Sequence, residues 1–225
     1  MISAIIVAAG KGIRMNDKLR KQYVLLAGRP VLAYSLLAFD ACDLIDRIIL
    51  VVPKKDIDYC WKDILAPLKL CKKINLVPGG EKRQDSAYNG LMAVDKDAAE
   101  IVVIHDGARP FVSQEQVAAC ISGAREYGAC ILAIPADDTL KQVDSFGFIS
   151  NTLKRDDILL AQTPQAFQYD LIIKAHENAR KEGFAGTDDA SLVEKLGGDV
   201  KTIYGGKRNI KITNREDLIL ATALL

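Results

Sequence analysis

The chain has 225 residues, 49% hydrophobic and 26% charged, the balance of a globular chain able to bury a sizeable core. Thirty Lys and Arg against twenty-nine Asp and Glu leave a formal charge of +1, so no bulk field favours wrapping nucleic acid or lying on an anionic membrane. Aromatic residues make up 6% and do not interleave with a basic stripe, which also argues against nucleic acid.

The opening MISAIIVAAGKGIRM has an apolar run of only a few residues with its charges after it, fitting neither a signal peptide nor a membrane-spanning helix. Five cysteines (Cys42, Cys60, Cys71, Cys120, Cys130) show no C-x-x-C spacing and have mostly apolar neighbours. They read as reduced core thiols of a cytoplasmic protein. His105 and His176 are too few for a histidine zinc cage.

Short β-branched runs at 5–7, 47–52, 100–105 and 130–135 predict strands buried on both faces. Helical spacing lies between them, most plainly at 114–127, where Val117, Cys120, Ile121 and Ala124 share a face, Ser113 and Gln116 offer a capping box and Gly128 a stop. This alternation predicts an α/β fold, a mostly parallel sheet covered by helices on both faces, with ligands at the carboxyl ends of its strands. At about 137–154 the alternation lapses into two short strands around Ser145-Phe146-Gly147, a protruding β-arm whose apolar Val143, Phe146, Phe148 and Ile149 would be covered by a second copy of the chain. Without a linker, charge block or repeat, residues 1–225 read as one domain with an excursion.

The first strand runs into Ala8-Ala9-Gly10-Lys11-Gly12-Ile13-Arg14-Met15, either a phosphate-binding loop or an ordinary tight strand-to-helix turn. It is neither the dinucleotide fingerprint nor a Walker A loop. Lys18, Arg20 and Lys21 add cations, a solvated face or a cradle for a triphosphate, with Arg14 and Lys21 best placed for moving phosphate charge. A second constellation, His105-Asp106-Gly107-Ala108-Arg109-Pro110, follows an apolar strand. Asp106 there is a hard oxygen ligand for Mg2+ or the start of an Asp-Gly turn. Residues 78–86, with Gly79 and Gly80, could approach a cytosine before a helix beginning near Ser86, or form a surface turn. Thr187 before two aspartates, and Thr213 with Glu216, carry helix-start signals. Lys211, between Ile210 and Ile212, would be costly on a buried strand without an anion opposite.

Taken together, AAGKGIRM, KQY, GGEKRQDS, HDGARPF, DDTLK, QTPQAF, GTDDAS and NIKIT, in this order, resemble the 2-C-methyl-D-erythritol 4-phosphate cytidylyltransferases of non-mevalonate isoprenoid biosynthesis over nearly the whole chain. The resemblance implies a Rossmann-like sheet, a homodimer joined by the β-arm, CTP and a small sugar-alcohol phosphate as substrates, and Mg2+ or another divalent cation. It implies Arg14, Lys21 and Lys211 as catalytic residues and Asp106 near the metal. Ala8, Ala9, Gly10, Gly12, Gly80, Glu81, Ser86 and Asp106 would hold the nucleotide. Arg109, Thr163 and Thr187 would hold the acceptor, joined by Thr139 and Arg155 from the partner's arm.

Two positions depart from the family pattern. Arg20 stands where proline often precedes Lys-Gln, which predicts altered loop rigidity and added charge beside CTP, and Arg208 stands where some members are acidic. The alternatives are a ribitol 5-phosphate cytidylyltransferase, against which Ala8-Ala9-Gly10 and Gly107-Ala108-Arg109 speak, and a non-catalytic nucleotide-binding regulatory module.

Overall fold

The computed structural model describes residues 1–10 and 20–225; Gly12 and Arg14 lie outside the described residues. Strands follow in chain order as β1 (Ile2–Val7), β2 (Leu25–Leu26), β3 (Arg29–Pro30), β4 (Arg47–Val52), β5 (Lys73–Pro78), β6 (Ile101–Asp106), β7 (Ala129–Pro135), β8 (Lys141–Val143), β9 (Ile149–Thr152), β10 (Leu159–Gln168) and β11 (Lys201–Tyr204). The helices are α1 (Val31–Asp40), α2 (Ile57–Tyr59), α3 (Ala66–Leu68), α4 (Arg83–Met92), α5 (Gln114–Tyr127), α6 (Tyr169–Glu182), α7 (Ala190–Lys195) and α8 (Arg215–Leu224).

Seven strands form one sheet in the order β11-β7-β10-β6-β1-β4-β5. The pairs β1–β4, β1–β6, β4–β5 and β7–β11 are parallel. β10 runs antiparallel between β6 and β7, which leaves the sheet mostly parallel, as expected. Alternate residues explain the unbroken β-branched runs. Ile6, Ile48 and Leu50 pack with Leu36 and Phe39 of α1 and with Val117 and Ile121 of α5, while Ile5, Ile49 and Val51 pack with Leu91 of α4, Ile172 of α6 and Val193 of α7. The sheet is thus covered on both faces. No helix among the described residues is long and apolar enough to cross a membrane.

The arm forms as expected: β8 and β9 pair antiparallel, and Asp144 Oδ1 accepts from the N–H groups of Phe146 and Phe148 at 2.9 Å around Gly147, whose φ is +87°. Phe146 and Phe148 are 85% and 73% exposed.

Several local expectations shift. The helix expected near Ser86 begins at Arg83, because the Asp85 carboxylate reaches back to the Lys82 N–H at 3.1 Å. The last helix is capped by Asn214 and Asp217 instead of Thr213 and Glu216; Asp217 also accepts from the Thr213 hydroxyl at 2.6 Å. At α7 it is Asp188, not Thr187, whose carboxylate takes an N–H of the first turn, that of Ser191 at 3.0 Å. All five cysteines are free, but Cys71 is exposed and not a core thiol.

Candidate active site

β1, β5 and β6 run in one direction, so the loops after Val7, Pro78 and Asp106 meet at one sheet edge. A cleft of about 220 Å³ opens there. It is lined by Ala8, Ala9, Gly10, Gly80, Glu81, Ser86, Asp106, Lys21 and Lys211, all expected from the sequence, and by Gln22, Lys82 and Arg83, which were not. The loops touch: a Cβ on Gly79 would sit 2.2 Å from Ala9 Cβ, so only glycine lets them approach. A Cβ on Gly80 would sit 2.3 Å from Asp85 Cβ, so that glycine answers first to the turn into α4. Buried Ser86 fixes the loop, accepting from the Gly80 N–H and donating to the Lys82 carbonyl, both at 3.1 Å. Gln22 Nε2 donates to the Ala8 carbonyl at 2.6 Å and braces the end of β1.

A second cleft of about 240 Å³ adjoins the first, lined by Arg109, Thr163, Thr187, Gln162, Gln165 and Asp188. Arg83, Asp106 and Lys211 line both. The antiparallel course of β10 creates this neighbourhood by setting Thr163 beside the end of β6, where its Oγ1 accepts from the Asp106 N–H at 3.1 Å. The carbonyl of Arg109 can only accept, so His105 Nε2, 3.1 Å away, carries the hydrogen. Its Nδ1 then accepts from the Thr163 hydroxyl at 3.0 Å. Burial pushes the His105 pKa down to about 4, keeping the ring neutral. Arg109 donates to the Asn209 carbonyl at 2.7 Å.

Asp106 is the charge centre. Its Oδ1 lies 2.9 Å from Arg83 Nε and its Oδ2 2.6 Å from Lys211 Nζ. Burial alone would raise its pKa, but Arg83 and Lys211 outweigh it and hold the carboxylate ionised, well below the usual range. Lys211 lies on an irregular segment, not the buried strand expected; the anion opposite it is Asp106. Arg83 also meets Asp189, with Nη1 to Oδ2 at 2.7 Å.

Thr139 and Arg155 are exposed on the arm side and line neither cleft; Arg155 donates to the Asp137 carbonyl at 2.7 Å. Arg20 has Nε 2.9 Å from Asp56 Oδ2 and Nη1 3.2 Å from the carbonyl of Gly10, a residue of the cleft wall, so it ties the end of the first loop to Asp56. Arg208 donates to the Leu224 carbonyl near the end of α8, where a cation is favoured.

Two adjoining clefts that share one carboxylate held between two cations open at the carboxyl edge of a mostly parallel α/β sheet, where such folds carry their active sites. The sequence profile of 2-C-methyl-D-erythritol 4-phosphate cytidylyltransferase matches residues 2–225, and the chain belongs to this family of nucleotidyltransferases. It is 47% identical over 224 residues to the 2-C-methyl-D-erythritol 4-phosphate cytidylyltransferase of Caldanaerobacter subterraneus subsp. tengcongensis, covering 100% of this chain and 98% of the relative. The crystal structure of 4-diphosphocytidyl-2C-methyl-D-erythritol synthase from Anaerococcus prevotii superposes with a TM-score of 0.87 at 40% identity, over 99% of this chain and 94% of that one. The 2-C-methyl-D-erythritol 4-phosphate cytidylyltransferase of Francisella tularensis gives a TM-score of 0.85 at 32% identity, over 100% and 99%.

Proposed function

We propose that the chain transfers CMP from CTP to 2-C-methyl-D-erythritol 4-phosphate, giving 4-diphosphocytidyl-2-C-methyl-D-erythritol and pyrophosphate. The observation that carries this reading is the common wall of Arg83, Asp106 and Lys211 between the two clefts, since a transfer needs donor and acceptor phosphates side by side. An oxygen of the acceptor phosphate attacks the α-phosphorus of CTP. The new P–O bond forms as the bond to the bridging oxygen breaks, and pyrophosphate leaves with that electron pair. The acceptor phosphate is already largely dianionic at neutral pH, so no general base is required.

In this reading Ala8, Ala9, Gly10, Gly12, Gly80, Glu81 and Ser86 hold the nucleotide, and Arg109, Thr163 and Thr187 hold the acceptor. Arg14, Lys21 and Lys211 neutralise charge that moves onto the phosphates as the bond changes. Asp106, ionised and reachable from both clefts, fits Mg2+ or another divalent cation, because magnesium is commonly held by one or two carboxylates plus substrate phosphates. Bound there, it would supply charge neutralisation at those phosphates. The exposed Phe146 and Phe148 support a homodimer in which the arm carries Thr139 and Arg155 to the partner's acceptor cleft. Residues 1–225 act as one domain, in the cytoplasm.

Phosphorus NMR of the reaction mixture tests the transfer: two mutually coupled signals of a diphosphate diester, together with pyrophosphate, are expected. CMP in place of the diester would mean hydrolysis and refute the reading.

A further inference from the structure

α6 carries a histidine that the proposed transfer does not use. His176 is fully buried, and its Nε2 lies 3.1 Å from Asp189 Oδ1. Asp189, 1% exposed, gives its other oxygen to Arg83 Nη1 at 2.7 Å. Arg83 Nε in turn lies 2.9 Å from Asp106 Oδ1. Side chains from α6, the cap of α7, the first residue of α4 and the end of β6 thus form one line ending on the carboxylate shared by both clefts. Among the described residues His176 Nδ1 has no hydrogen-bond partner, so the ring's polar contact is with Asp189. The backbone around Asp189 is pinned as well: its N–H and that of Ala190 donate to Gln165 Oε1, both at 3.1 Å.

A guanidinium is planar and rigid, so holding Nη1 on one edge fixes where Nε points on another. Asp106 Oδ1 is therefore taken by a partner braced from behind, whereas Oδ2 faces Lys211, whose side chain is 35% exposed and open to both clefts. We propose that His176 is a positioning residue for the transfer: through Asp189 it fixes the Arg83 guanidinium, and through Arg83 the orientation of Asp106 between the two substrates. This rests on the transfer reading above, and it concerns a group that touches neither substrate.

The test compares wild type, His176→Leu and His176→Gln by pyrophosphate release with CTP and methylerythritol phosphate, and by melting temperature. Leucine keeps apolar packing but cannot hydrogen-bond, while a glutamine amide can still donate to Asp189. His176→Leu is expected to lower kcat by about tenfold or more, as loss of a partner behind a site group commonly does, with KM for CTP changed less than about twofold. His176→Gln is expected to restore kcat to within about threefold of wild type even if it melts no higher than the leucine variant. A leucine variant with wild-type kcat, or equal losses in both variants, would overturn the inference while leaving the transfer reading intact. An inactive wild type would overturn both. If His176→Leu does not fold, His176→Asn, whose shorter amide falls short of Asp189, replaces it with the same expectation.

Discussion

Lys211 and Asp106 meet at 2.6 Å on the wall between the two clefts, although 105 positions separate them in the chain. The pair resolves what the sequence leaves open about Lys211, a cation between two isoleucines that needs an anion nearby. It also places a mobile ammonium where phosphate charge would pass in the proposed transfer, with Arg83 left to hold the other carboxylate oxygen.

Lys211→Met should therefore keep the apolar stem and the fold while losing about a hundredfold in kcat, the usual scale for removing one preorganised donor to a developing charge. Steady-state pyrophosphate release with circular dichroism checks this. A kcat within about threefold of wild type would remove Lys211 from the catalytic set.

Gly79→Ala probes the nucleotide cleft from behind. The added methyl would sit 2.2 Å from Ala9 Cβ and 3.0 Å from Ser86 Oγ, so the loops after β1 and β5 must part. KM for CTP is expected to rise by about tenfold or more, with KM for the acceptor changed little. Unchanged KM for CTP would mean that the first cleft is not where the nucleotide sits.

The parts of the fold most legible in the sequence are those fixed by local chemistry. The runs around Ile5, Ile49 and Val103 read as strands because both faces are buried. α5 starts and stops where Ser113, Gln116 and Gly128 say it should, with the reciprocal Ser113 and Gln116 bonds at 3.3 and 3.0 Å and Gly128 at φ +85°. β10 was not legible: LLAQTPQAFQ has no clean alternation, and its direction is imposed by pairing to β6 and β7. At α8 two capping boxes overlap one residue apart, and asparagine is the stronger cap. In the site, glycines and cations stood out, yet Arg83 did not, since its partners lie 23 and 106 residues away. Its one signal was a charge in a glycine loop leading into a helix.

Acid should unfold the protein in a window set partly by His105. Its pKa falls from 6.5 to about 4 on folding. Between those values the unfolded chain binds a proton that the folded one does not. Stability is thus full above about pH 6.5 and falls as pH drops toward 4, by about 3 kcal/mol from this group. Asp106 and Asp189, whose folded pKa values are also lowered, add to the loss further down. Urea titrations at stepped pH check the slope; His105→Gln, which cannot titrate, should flatten it between pH 6.5 and 4.5.

If the arm completes the partner's acceptor cleft, two inactive chains should rescue each other. Lys21→Ala fails in its own nucleotide cleft and Arg155→Ala fails in its partner's, so a mixed dimer contains one cleft pair with neither change. Activity approaching half that of wild type per mixed dimer is expected on this scheme. Verified heterodimers with no activity above the parents would rule out the shared site.

The central claim is tested most directly by pyrophosphate release from the purified protein with Mg2+, using CTP, UTP or ATP against methylerythritol phosphate, ribitol 5-phosphate or no acceptor. The account predicts rapid release only with CTP and methylerythritol phosphate together. Preference for ribitol 5-phosphate would contradict the acceptor while keeping the chemistry, and no release with any pair would contradict the transfer itself.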